Sequence, residues 1–180
     1  VLDYSFSAWR ILPEGQVQFT ASNAREDLPR LRNLGTLKVA SFNVLNYFNG
    51  DGLGGGFPTS RGATTSLEFS RQAEKTVAAL TAVNADVVGL MEIENDGYGE
   101  QSAIVDLVGR LNAKLGAGTY QYVQVPGTTE LGSDEITVGL LYKPSKVAPV
   151  GAAVTLNTGV FSFGNRQPLV QSFRQLSNNE

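Results

Sequence analysis

The segment Asp86-Val87-Val88-Gly89-Leu90-Met91-Glu92-Ile93-Glu94-Asn95 does most to decide how this sequence folds. Residues 86–91 form a nearly continuous apolar run, which is typical of a strand that is buried on both faces. Glu92 follows at the carboxyl end of that strand, where α/β sheets bind their ligands. Strand alternation would point Glu92 and Glu94 to one face, where they could share a cation. The alternative is that both are solvated charges at the end of a strand.

A second strand is predicted upstream of this segment. Residues 37–42 alternate between apolar and polar, and this strand is expected to end at Asn43. Apolar residues at helical spacing predict a helix over residues 68–84 between the two strands. A strand–helix–strand unit makes the two strands parallel neighbours, so Asn43 and Glu92 would share one sheet edge. An amide beside a carboxylate suits Mg²⁺ with a phosphate, although an asparagine there is more often a turn residue.

The rest of the pattern predicts a mixed α/β or α+β protein. Residues 49–66 are rich in glycine and are expected to form a loop. Ser102 is a plausible N-cap, and apolar residues at helical spacing follow it as far as Gly116. Two helices among about six strands fit either class. Further strands are predicted at Tyr120–Val125, Ile136–Tyr142, Val147–Leu156 and Pro168–Phe173.

The first 34 residues differ from the remainder. Val1 to Leu12 contains three aromatic residues and is predicted to form one strand. Thr20 to Leu34 is polar, is interrupted by Pro29, and is predicted to be a linker. A boundary is therefore expected near Gly35. Residues 1–34 would be the end of a preceding domain or an N-terminal arm, and residues 35–180 a second domain.

Composition excludes several kinds of chemistry. The 180 residues carry a net charge of −3, so the chain as a whole is not a basic nucleic-acid binder, although a local basic groove stays open. The sequence has no cysteine, which removes disulfides, thiolate nucleophiles and zinc–cysteine sites. It also has no histidine, which removes a Ser-His-Asp triad and a histidine base. No run of 18 apolar residues exists, so neither a transmembrane helix nor a membrane partner is expected.

A glycine-rich motif and an acidic motif each resemble a known binding site, but the residues around them do not fit that site. Residues 50–55 fit G-x-G-x-x-G, but a dinucleotide site needs its third glycine at the start of a helix, and the predicted helix begins well after Gly55. Residues 92–97 resemble the first half of an EF-hand loop, but the twelfth position is Ala103, which has no carboxylate. We therefore expect residues 50–55 to be a surface loop.

Charged residues near two later strands are ambiguous. Asp134 precedes the strand predicted from Ile136, and Arg166 precedes the last strand. An arginine beside carboxylates can be a salt-bridge partner or a bidentate phosphate ligand. Arg61, in the glycine-rich loop, has the same two interpretations. Taken alone, each of these residues favours the structural role.

Four segments in order resemble the endonuclease/exonuclease/phosphatase superfamily, which has the DNase I-like fold. The match covers about residues 35–175, and the sequence of these segments is most similar to that of the secreted bacterial nucleases of the superfamily. In those proteins a strand like Asp3-Tyr4-Ser5-Phe6 ends a preceding domain. The four segments are Ala40-Ser41-Phe42-Asn43-Val44-Leu45-Asn46-Tyr47, Arg71-Gln72 with Ala85 to Asn95, Gly132 to Pro144, and Asn165 to Phe173.

The resemblance implies a DNase I-like four-layer α/β sandwich and Mg²⁺-dependent hydrolysis of phosphodiesters, with Mn²⁺ or Ca²⁺ as alternatives. By motif position Glu92 would be the metal ligand, Asn43 would help to hold metal and phosphate, and Arg166 would contact the phosphate. Asp134 would be a supporting residue of the site. The resemblance also implies a nucleic acid substrate, DNA in the first place, and secretion from the cell.

The sequence departs from the family because it resembles only the first half of the fold. The family's later motifs supply a histidine, an Asp-x-Asn pair and an Asp-His pair, and this sequence has no histidine. We therefore expect the chain alone to be inactive and to need the second half of the domain or a swapped copy. The alternatives are a phosphatase or lipid phosphodiesterase of the same superfamily, or a non-catalytic binding module.

Overall fold

A computed structural model describes residues 1–23 and 35–177, and these form two compact units. The first unit contains the described residues 1–23 and the second contains residues 35–177. Most of the linker predicted from Thr20 to Leu34 lies outside the described residues. The division into domains near Gly35 therefore stays a prediction.

The N-terminal unit contains a β-hairpin of β1 (Leu2–Ser5) and β2 (Ala8–Ile11). The prediction of one strand from Val1 to Leu12 is therefore wrong. Phe6 and Ser7 adopt φ angles of 51° and 60°, the pair of left-handed conformations that a two-residue hairpin turn requires. Phe-Ser is not a typical turn sequence, so the pattern gave no sign of the reversal.

The second unit is built on a four-stranded sheet with strand order β3-β4-β6-β5. The edge strand β3 pairs with β4 in parallel, as predicted, and helix α1 lies between these strands in the chain. The other two pairs are antiparallel. The elements are β3 (Val39–Tyr47), α1 (Ser66–Val83), β4 (Val87–Glu94), α2 (Ala103–Leu115), β5 (Gln121–Tyr122) and β6 (Ile136–Tyr142).

Both helices start at side-chain caps. The Thr65 hydroxyl accepts a hydrogen bond from the Glu68 backbone N–H at 3.2 Å, so α1 begins two residues before the predicted start. At α2 the cap is Asp96, whose carboxylate accepts from the Ala103 N–H at 2.9 Å, while the Ser102 side chain makes no capping bond. Within the described parts of the chain, neither helix combines the length and apolar character needed to cross a bilayer.

A second sheet of two antiparallel strands, β7 (Val147–Thr155) and β8 (Leu169–Gln175), covers the face of the first sheet opposite the helices. Val88 and Leu141 pack in the core that includes both helices. Their chain neighbours Val87 and Tyr142 pack in a separate core with Val147 of β7. The two sheets are thus stacked with helices outside the first, which confirms the predicted mixed α/β class.

Candidate active site

The carboxyl ends of β3 and β4 form one edge of the main sheet. Because β6 is antiparallel to β4, its amino end lies at the same edge, where Glu94 pairs with Ile136. Residues from three separate parts of the sequence therefore meet there. The four segments that carry the family resemblance all contribute to this edge or to the loops beside it.

Asn43 and Glu92 come together through the register of the parallel pair. Asn43 is the partner of Met91, so Glu92 is the next residue along β4. The pairing resumes only at Tyr47 and Ile93, so both strands are irregular between these two contacts. The strand does not end at Asn43 as expected, because it continues through this irregularity to Tyr47. The prediction that the amide and the carboxylate share a sheet edge agrees with this register.

The backbone of this irregular segment is unusual. Leu45, Asn46 and Glu92 have φ angles of 58°, 49° and 63°, in the left-handed region that residues other than glycine rarely adopt. The exposed Asn43 side chain accepts a hydrogen bond from the Leu45 N–H at 2.7 Å. Strained backbone of this kind concentrates at functional sites, where the surrounding structure holds it in place.

One side chain of α1 holds the irregular part of β3. The Gln72 Nε2 group lies 3.0, 2.6 and 3.4 Å from the carbonyl oxygens of Val44, Leu45 and Asn46, and donates to them. The irregularity leaves these carbonyls outside a regular ladder, and the Gln72 amide supplies hydrogen bonds to them. Sequence reasoning did not single out Gln72 as a site residue, although it lies in the second matching segment.

The irregularity also changes where the acidic side chains lie. Leu90 and Ile93 both pack in the helix-side core, although they are three positions apart rather than two. Strand alternation is therefore interrupted at Glu92, so alternation cannot assign Glu92 and Glu94 to one face, and their sharing a face stays a prediction. Glu94 instead accepts a hydrogen bond from the Asn49 backbone N–H at 3.3 Å.

Two carboxyl groups, at the end of β4 and two residues after it, have raised pKa values. Desolvation, followed by the nearby negative charge of Asp96, raises the pKa of Glu94 to about 7. Desolvation raises the pKa of Asp96 to about 6, although the Ala103 N–H that it caps acts in the opposite direction. Burial therefore disfavours the charged form of both carboxyl groups at this edge of the sheet.

Asp134 lies between two arginines from distant parts of the chain. Its carboxylate oxygens lie 2.8 Å from Arg61 Nη1 and 3.6 Å from Arg166 Nη2. The Ile136 N–H and both guanidinium groups hold the pKa of Asp134 below its ordinary value. All three side chains are about 40% exposed, so each pair contributes on the order of 0–1 kcal/mol to stability. Their significance is the grouping of two guanidinium groups beside the sheet edge.

The loop that carries Asp134 is held by Asn95. The Asn95 side-chain N–H₂ donates to the carbonyls of Leu131, Gly132 and Asp134 at 3.2, 3.3 and 2.9 Å. Its Oδ1 accepts from the Leu131 N–H at 3.0 Å. Sequence reasoning quoted Asn95 only as the end of a matching segment, and a single asparagine after a strand carries no further signal.

The residues near Glu92 are suited to a hard divalent cation but do not complete its coordination. Glu92 and Asn43 offer a carboxylate and an amide oxygen, the donor types that Mg²⁺ prefers. The buried Oδ1 of Asn46, in the same irregular segment, has no hydrogen-bond partner. Within residues 1–23 and 35–177, however, no three acidic side chains are grouped closely enough to hold a metal ion. Waters or further ligands would have to fill the coordination sphere.

No protein-family model matches this sequence, and no curated protein matches it. Among solved structures, the human nocturnin catalytic domain with bound sulfate is 16% identical, with a TM-score of 0.47 over 80% of this chain and 46% of its own. ANGEL2, described as a 2′,3′-cyclic phosphatase, is 16% identical, with a TM-score of 0.44 over 77% of this chain and 37% of its own. The chain thus spans less than half the length of each of these proteins.

Proposed function

We propose that this chain is part of the catalytic domain of a metal-dependent phosphodiesterase that hydrolyses nucleic acid, with DNA as the favoured substrate. The observation that carries the proposal is the register of β3 and β4, which puts Asn43 opposite the residue before Glu92 at an irregular sheet edge. The motif resemblance supports it independently, because its four segments approach this edge.

Each residue has a role in the proposed reaction. Glu92 and Asn43 would hold Mg²⁺, with Mn²⁺ and Ca²⁺ as alternatives. When bound, the ion neutralises charge on the phosphate and activates the attacking water. Arg166 donates hydrogen bonds to the phosphate oxygens, and its planar guanidinium orients the phosphodiester. Asp134 positions Arg166, from which it is 3.6 Å away.

A plasmid-nicking assay tests the metal and the reaction together. In the complete natural form of the protein, we expect nicking with Mg²⁺ that stops when EDTA is added. Glu92→Gln keeps the side-chain size but removes the charge, and we expect a loss on the order of 100-fold in rate. Glu100→Gln, at an exposed position, is the matched control. Nicking by Glu92→Gln at the wild-type rate would overturn the metal assignment.

Two model substrates separate the reaction classes. A nuclease should cleave bis(p-nitrophenyl) phosphate, a diester, in preference to p-nitrophenyl phosphate, a monoester. The opposite preference would favour the phosphomonoesterase alternative. Because the resemblance assigns the general base to a histidine that this sequence lacks, we expect no turnover by the 180 residues alone.

The resemblance also underlies two further proposals about the protein's surroundings. We propose that it acts outside the cell, which secretion of the complete protein into the medium would test. We also propose that a further polypeptide segment or a second copy covers β7 and β8, where Val150, Val154 and Val170 are about half exposed. Light scattering after size exclusion should then show association at high concentration.

A further inference from the structure

A cavity of about 280 Å³ lies next to the candidate active site, between two loops. One wall is residues 131–134, which Asn95 holds through the hydrogen bonds described above. The other wall is residues 161–167. In that loop the Asn165 side chain donates to the Val160 carbonyl at 2.6 Å. Because each wall has its own hydrogen bonds, the cavity exists before any ligand enters it.

An exposed aromatic side chain stands in the second wall. Phe163 is 92% exposed, and the described residues include no aromatic ring packed against it. A phenylalanine that is open to water can gain considerably from covering its ring. Phe163 therefore offers a flat apolar surface to a planar ligand that enters the cavity.

The wall that carries Phe163 also carries a positive charge, Arg166. The Arg61 guanidinium lies 2.8 Å from an Asp134 carboxylate oxygen and 3.9 Å from a Glu135 carboxylate oxygen. The charge of Arg61 is thus compensated by two carboxylates. Arg166 is 3.6 Å from Asp134, a longer contact, and lines the cavity. Of the two arginines, Arg166 is therefore the one whose guanidinium can exchange the Asp134 carboxylate for an anionic ligand.

We propose that this cavity binds one nucleotide unit of the substrate, with its base stacked on Phe163 and its phosphate on Arg166. The proposal rests on the proposed nuclease function and adds to it a residue that contacts the base. Every base has a π face, and stacking on an aromatic ring discriminates little between bases. We therefore expect the subsite to accept adenine and pyrimidine nucleotides alike.

Binding of three small probes to the full chain, measured by calorimetry, tests the subsite without any turnover. We expect adenosine 5′-monophosphate to bind about tenfold more tightly than ribose 5-phosphate, because only the first has a base to stack. Thymidine 5′-monophosphate should bind within fivefold of the adenosine compound. In Phe163→Ala the advantage of a base should disappear, while Phe163→Tyr should keep it.

Two further variants separate the base from the phosphate. Arg166→Gln should weaken binding of adenosine 5′-monophosphate and ribose 5-phosphate by the same factor, about tenfold. Val160→Ala, which removes an exposed apolar side chain from the same loop, should leave all the affinities within twofold. Circular dichroism of each variant confirms that the fold is retained.

The outcomes distinguish this subsite from the proposed function. The subsite would be overturned if adenosine 5′-monophosphate and ribose 5-phosphate bound with equal affinity. It would also be overturned if Phe163→Ala still bound adenosine 5′-monophosphate about tenfold more tightly than ribose 5-phosphate. If that result came with Mg²⁺-dependent nicking by the complete protein, the nuclease function would still stand. Binding through Phe163 in a complete protein that cleaves no phosphodiester would support the nucleotide subsite and overturn the nuclease.

Discussion

Asn43 lies opposite Met91 across the parallel strands β3 and β4, and the residue after Met91 is Glu92, with a φ of 63°. Regular alternation after Leu90 would have directed residue 92 towards the helices. Ile93 occupies the helix-side core instead. The irregularity therefore keeps a carboxylate out of the apolar core, at a position that follows the partner of Asn43 in the register.

Replacing Glu92 by glycine and by alanine should reveal the backbone strain. Both changes remove the carboxylate, so both should abolish metal-dependent hydrolysis. Glycine adopts a positive φ without a steric penalty, whereas alanine keeps a cost of about 1–2 kcal/mol. We therefore expect Glu92→Gly to be the more stable of the two variants by about 1 kcal/mol in urea denaturation.

The neighbouring residue supplies the control for this comparison. Met91 lies in the regular ladder, where alanine is normally the better residue. Met91→Ala should thus be more stable than Met91→Gly, which is the reverse of the order at Glu92. The same order at both positions would show that Glu92 is not strained.

Gln72 gives a second prediction, because its side-chain amide donates to three carbonyls of β3. Gln72→Met keeps the length of the side chain but has no donor. We expect a loss of about 1–3 kcal/mol in the free energy of unfolding. In the complete protein we also expect a 10–100-fold lower rate, as for groups that position a metal ligand.

Hydrogen exchange can show that Gln72 acts by holding the segment that follows Asn43. Exchange should become faster at Leu45 and Asn46 in Gln72→Met, and the activity loss should be in kcat more than in KM. Glu74→Met, at an exposed position of the same helix, is the matched control. An activity loss without faster exchange in this segment would refute the positioning role.

The parallel pairing of β3 and β4 could be predicted because it depends on local patterns. An apolar run, a helix period and the strand–helix–strand rule were sufficient for it. The positive φ angles of Leu45 and Glu92 could not be predicted, since neither residue type favours that conformation. Tertiary contacts impose it, and Gln72 is one of them.

The pairing of Arg61 with Asp134 also could not be predicted, for a different reason. Arg61 and Asp134 are 73 positions apart, and each lies in a loop. Periodicity says nothing about which loops meet in space. Asp96 shows the same limit, because it caps α2 from seven residues before Ala103, whereas the local cap signal indicated Ser102.

The raised pKa values of two tyrosines lead us to expect that the protein unfolds at high pH. The Tyr120 hydroxyl donates to the Ala85 carbonyl at 2.6 Å, and desolvation raises the pKa of Tyr120 to about 12. Desolvation and the bond to Asp106 raise the pKa of Tyr47 still further. The folded state thus favours the neutral phenol, so this stability is complete below about pH 10 and decreases as the pH rises through 12.

Alkaline titration with circular dichroism and tyrosinate absorbance measures this effect. We expect unfolding and ionisation of the buried tyrosines to occur together above about pH 10. The stability difference between wild type and Tyr120→Phe should shrink across that range, because phenylalanine cannot ionise. Tyr4→Phe, at an exposed position, should show no such pH dependence. Ionisation of Tyr120 in a protein that stays folded would contradict the prediction.

Asn95 leads to the last prediction, since its amide fits a loop that offers three carbonyls and one N–H. Asn95→Asp keeps the acceptor but directs a carboxylate oxygen at those carbonyls. We expect it to lose about 1–3 kcal/mol of stability and to be worse than Asn95→Ala at pH 7. Lowering the pH should reduce its deficit, because a protonated carboxyl can donate one of the lost hydrogen bonds.

Hydrogen exchange should become faster at residues 131–134 in Asn95→Asp, while Asn165→Asp, in an exposed loop, should leave that segment unchanged. If Asn95→Asp is as stable as Asn95→Ala at pH 7, the amide does not hold the Asp134 loop in the way these distances indicate.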